Sequence, residues 1–145
     1  MSSSATTTES TVERHPRGVL DTSVVIDLID IPDETLPVSA TISAITLAEL
    51  SQGVHLTNDP KERSTRAERL QTVEATHPSP LSFDAEAARR YGRLVALTLA
   101  AGRSAKPRRI DLMIAATASV HGLPLFTRNS GDFEGLESAL TVVHV

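Results

Sequence analysis

The chain has 145 residues, 40% of them hydrophobic and 3% aromatic, with a formal net charge of -4 and no cysteine. That length suits one compact domain, and the lack of cysteine excludes disulfides and thiolate metal sites while agreeing with a reducing cytoplasm. The acidic balance argues against a general nucleic-acid coat, and so few aromatics argue against a sheet that stacks bases.

Residues 1–16, MSSSATTTESTVERHP, are rich in Ser and Thr and lack an apolar period. They read as a disordered tail, leaving 17–145 as the folded domain. No apolar run approaches the length of a membrane span. No basic start leads into an apolar segment of the secretory kind. A cytoplasmic protein without membrane attachment is expected.

Next comes GVLDTSVVIDL, where residues 19–20 begin a short buried strand and Asp21 stands at its C-terminal edge. Thr22 or Ser23 is expected to cap a short helix reaching residue 28. Pro32 and Pro37 then bracket a turn. Residues 41–43 read as a second strand, and ITLAELSQGVHL, from Ile45, as a helix. Pro60 suits the first turn of a charged, solvated helix over 58–75. Residues 81–83 read as a third strand, with Asp84 capping the helix after it. In that helix Ala87, Ala88, Tyr91, Leu94, Val95 and Thr98 recur at helical spacing, and Gly102 is a plausible stop. A last helix covers 109–120 and ends at Gly122. PLFT and TVVHV supply a fourth and a fifth strand. Strands alternating with helices predict a parallel α/β sheet, and in such sheets sites lie beyond the carboxyl ends of the strands.

Four carboxylates stand in apolar or strand-end surroundings: Asp21, Glu49, Asp111 and Asp132. Each has a local explanation. Asp111 favours a helix N-terminus, Asp132 suits the turn NSGDF, and Glu49 can face solvent. Together they fall at one edge of the sheet, where they would repel unless cations joined them. Hard oxygen ligands favour Mg²⁺ or Mn²⁺.

The segments VLDTSVVIDL, ISAITLAEL and RRIDLMIAATASVHGLPLFTRNSGDFEGL resemble, in order and spacing, the PIN-domain family, specifically its VapC-type toxins. The resemblance implies a PIN-like three-layer α/β fold, with a central, mostly parallel sheet flanked by helices. It implies Asp21, Glu49 and Asp111 as the acidic core, Asp132 as a fourth, more variable acid, and Asn129, Thr22 and Ser23 as auxiliary polar groups. The activity implied is a Mg²⁺-dependent endoribonuclease that hydrolyses RNA phosphodiester bonds with a metal-activated water. The partners implied are an RNA substrate, a VapB-like antitoxin that blocks the site, and a second copy of the chain in a homodimer. The apolar stripe of the helix over 85–101 could serve that dimer or face the core. Lys106, Arg108, Arg109 and Arg128 are candidate phosphate contacts, or else a solvated loop. Asp27 reads as a decoration of a helix face. The scattered histidines show no metal-ligand spacing, and His121 is expected to satisfy a carbonyl or the helix dipole.

Two other readings compete. A phosphoacceptor domain would use a similar acidic pocket but needs a lysine after a late strand, and Lys61 and Lys106 are the only lysines. A catalytically silent PIN-like scaffold would bind RNA or protein without turnover, and the intact acid set speaks against it.

Overall fold

The computed structural model describes residues 14–145. The tail expected over 1–16 lies outside the described residues except for its last three. Those three are held against the domain. Val38 N–H donates to the His15 carbonyl and Ser39 N–H to that of Pro16, both at 2.9 Å. Arg14 Nε donates to the Leu36 carbonyl at 3.0 Å.

Four parallel strands form the sheet: β1 (Arg17–Leu20), β2 (Ser39–Thr41), β3 (Leu125–Thr127) and β4 (Val142–His144), in the spatial order β2-β1-β3-β4. Five α-helices connect them: α1 (Thr22–Ile26), α2 (Ala44–His55), α3 (Pro60–Thr76), α4 (Ala85–Ala100) and α5 (Arg109–Val120). Side chains alternate across a strand, and two cores result. Val19 and Leu125 face one core with Leu94 of α4 and Leu112 and Ala116 of α5. Their neighbours Leu20 and Phe126 face the other, with Val24 of α1, Leu50 of α2 and Val73 of α3. The molecule therefore has the expected three layers, with the sheet in the middle.

Local chemistry sets most helix ends. Asp59 and Asp84 accept from Lys61 N–H and Ala87 N–H, and Pro60 opens α3 where its missing N–H costs nothing. Gly102 and Gly122 follow α4 and α5 with φ of 76° and 65°, a left-handed conformation that suits glycine. The stripe of α4 faces the core through Ala87, Leu94 and Thr98, which are buried.

Three expectations need correction. The strand expected over 81–83 is a single parallel bridge between Ser43 and Leu81. It cannot extend, because Pro80 has no N–H to donate and Asp84 is committed to capping α4. The second strand lies two residues earlier than expected, because the Ser43 side chain accepts from Ile45 N–H at 2.9 Å and starts α2. The first short helix is capped by Asp21, not by Thr22 or Ser23, and ends at Ile26; a 3₁₀ turn over Leu28–Asp30 follows.

Candidate active site

β1 delivers Asp21 to the C-terminal edge of the sheet, where it is 3% exposed. A carboxylate buried that deeply needs donors, and three converge on it. Thr22 N–H reaches Oδ1 at 2.9 Å, while Ser23 Oγ and Thr127 Oγ1 donate to Oδ2 at 3.0 and 2.8 Å. Thr127 ends β3, and the pairing of β1 with β3 brings it beside Asp21. Sequence reasoning missed Thr127. Its only signal was a hydroxyl residue ending a strand at the same edge.

Glu49 lies in the second turn of α2, half-buried. Thr22 Oγ1 donates to its Oε1 at 2.6 Å and lies 3.0 Å from Thr46 Oγ1. Burial raises the Glu49 pKa most, and the Asp21 charge adds to this, against the Thr22 hydrogen bond. Asp111 sits in the first turn of α5. Its pKa is raised from 3.8 to about 6, by burial most and then by the charges of Asp21, Asp132 and Glu49, against Arg108. The other three acids singled out in the sequence are thus within electrostatic reach of Asp111.

Asp132 lies in the 3₁₀ turn Ser130–Phe133, its Oδ1 3.7 Å from Arg108 Nε. That Nε is buried and makes no hydrogen bond, while Arg108 Nη1 donates to the Ser104 carbonyl at 2.7 Å. Arg128 turns to Asp27 at 3.5 Å, so Asp27 serves the rim of the site as an ion-pair partner. Lys106 and Arg109 are exposed. Asn129 contributes its backbone N–H, which donates to Thr127 Oγ1 at 3.0 Å; its side chain is exposed. Ser23 Oγ also accepts from Arg128 N–H at 3.2 Å. The auxiliary hydroxyls of Thr22 and Ser23 therefore orient acids instead of capping the helix. His121 Nδ1 meets the Thr117 carbonyl at 2.9 Å, as expected of a helix end.

Among the described residues, no group of three or more histidine, aspartate and glutamate side chains is set as it stands to hold a metal ion. The hydrogen bonds explain this. Hydroxyls hold Asp21 and Glu49, and a guanidinium lies beside Asp132, so the acids satisfy themselves separately. The donor set is nonetheless all carboxylate oxygen, mutually repelling and gathered at a strand edge, which is the chemistry a hard divalent cation requires.

The chain is thus a three-layer α/β domain whose acidic site lies, as in open parallel sheets generally, at the carboxyl ends of the strands. The PIN domain model matches residues 18–137, and the chain belongs to the PIN-domain family. It is 37% identical over 131 residues to Ribonuclease VapC5 of Mycobacterium tuberculosis, covering 86% of this chain and 91% of that one. The crystal structure of VapBC-5 from M. tuberculosis, a member of the VapBC family of toxin-antitoxin systems, superposes with a TM-score of 0.75 at 32% identity. That match covers 90% of this chain and 99% of that one. FitAcB from Neisseria gonorrhoeae gives a TM-score of 0.67 at 29% identity over 87% and 96%.

Proposed function

We propose that this chain is an endoribonuclease, the toxin of a VapBC-like pair, which cuts RNA with the help of a divalent cation held by Asp21 and Asp111, with Glu49 and Asp132 completing the set. One observation carries the reading: carboxylates from four separate segments come within electrostatic reach at the strand edge, where Asp21, Asp132 and Glu49 add to the burial that raises Asp111 to about 6. A carboxyl so placed gains more from a neighbouring cation than an isolated one does. The likeness to Ribonuclease VapC5 over nearly its whole length supports RNA as substrate, and the VapBC-5 complex supports a VapB-like antitoxin as partner.

Mg²⁺, or Mn²⁺ in its place, would lower the pKa of water and stabilise negative charge building up on the phosphate. The chain's own residues do the positioning. Asp21 is fixed by Thr22, Ser23 and Thr127, so its orientation is settled before substrate arrives. Glu49 is aimed by the Thr22 hydroxyl. Arg108 lies against Asp132 and partly offsets the negative charge that would otherwise repel the RNA backbone.

The test is cleavage of total RNA by purified protein with Mg²⁺, with excess chelator, and with Asp21→Asn under matched Mg²⁺. Cleavage should disappear in the last two, while the variant keeps the parent's circular dichroism spectrum. Equal rates for Asp21→Asn and parent would sink the mechanism.

A further inference from the structure

We propose that the cleft between α2 and α3 is a phosphate subsite, in which Arg69 grips the RNA backbone next to the phosphodiester being cut. The inference rests on the ribonuclease reading above.

The cleft has a volume of 300 Å³, at the small end of the range for ligand sites. It adjoins the acidic site at Glu49, which lines it together with Thr22, the residue after Asp21. On α2, Glu49 and Gly53 are four residues apart and share a face. On α3, Glu62, Arg66 and Arg69 stand at i, i+4 and i+7, again one face, and all three line the cleft.

Arg66 is already committed. Its Nε meets Glu62 Oε2 at 2.9 Å, and its Nη1 donates to the Gly53 carbonyl at 2.7 Å, tying α3 to α2. Arg69, one turn further on, is half-buried and has no ion-pair partner among the described residues. On the α3 wall Arg69 thus stands without an ion-pair partner beside the Arg66–Glu62 pair, while the Glu49 carboxylate lines the same cleft from α2. A guanidinium in that setting suits the planar, bidentate recognition of a phosphate. The space over Gly53 is open, since a Cβ built there meets nothing within 4 Å, so a longer side chain at this position would project into free volume. By contrast, two of the cations at the opposite rim, Arg108 and Arg128, are paired with Asp132 and Asp27.

The test uses a fluorescein-labelled single-stranded RNA of mixed sequence and about 20 nucleotides, bound to Asp111→Asn protein across a salt series. Adding Arg69→Ala should weaken binding about tenfold and reduce the slope of log K against log salt by ~0.7, one phosphate contact on a single strand. Arg93→Ala, on the exposed side of α4, should change neither. In the otherwise native enzyme, Arg69→Ala and Gly53→Glu should each raise KM about tenfold and leave kcat within about twofold. If the parent cuts RNA while both variants keep its KM and salt slope, the subsite is wrong and the nuclease stands. If the parent neither binds nor cuts RNA, the ribonuclease reading fails first and takes the subsite with it. Weakened inhibition by an antitoxin, with RNA binding intact, would assign the cleft to a protein partner and overturn the proposal.

Discussion

Asp111 shows what burying an acid among other acids costs a fold. Its pKa is raised, so the folded chain binds a proton that the unfolded chain has already released between about pH 4 and 6. Stability must then fall as pH rises through that window and stay lower above it. Asp111→Asn removes the burden. Because the group is only half-buried, solvent screening reduces the gain to about 1 kcal/mol. Urea denaturation of the metal-free protein should show Asp111→Asn more stable than the parent at pH 7.5 and equal to it near pH 4; a gain independent of pH would refute the electrostatic account. A divalent cation should raise the parent's melting temperature by binding the native state and leave that of the variant nearly unmoved. The acids themselves were legible in the sequence, since a carboxylate beside Val and Leu is conspicuous. Their partners were not. Thr127 and Asp21 are 106 residues apart, and only the pairing of β1 with β3 makes them neighbours. Arg69 was illegible for a related reason. On a charged helix every cation looks solvated until the facing helix is known.

Whole elements follow the same division. Ends fixed by nearby chemistry were readable: Asp84 before α4, Pro60 opening α3, Gly102 and Gly122 after their helices. Elements decided by distant pairing were not, and the bridge at Leu81 is the clearest case. Apolar content there suggested a strand, yet hydrogen bonds with Ile42 and Ala44 occupy its backbone for one residue only. β1 also carries a constraint invisible to periodicity. A Cβ at Gly18 would stand 2.5 and 2.9 Å from Phe126 ring carbons and 3.2 Å from Pro37 Cβ. Phe126 is 1% exposed and has little room to yield. Gly18→Ala should therefore lower stability by ~1–3 kcal/mol through overpacking, read as a reduced urea midpoint at unchanged slope. An unaltered midpoint would mean that the sheet can slide to make room.

Across the whole molecule, one surface is out of keeping with the rest. Ile29 is 94% exposed, with Ile26 and Leu28 each at 44%. All three line a groove of 430 Å³ whose floor includes Val25 and Val73. Apolar side chains left exposed around a groove suit a protein contact, and this groove borders the arginine-lined cleft through Ile26 and Arg69. Ile29→Glu should leave RNA cutting by the free chain unaltered and weaken its inhibition by a VapB-like antitoxin at least about tenfold; equal inhibition would place that partner elsewhere. The sheet order has a consequence for biosynthesis. β1, which leads into Asp21, is made first, yet it lies between β2 and β3, and β3 comes from the last fifth of the chain. Such long-range closure comes late in folding. On the ribonuclease reading proposed above, a ribosome partway through this message holds an inactive peptide, and a product cut short before residue 125 stays inactive. The chain can then threaten RNA only once translation of it is almost complete.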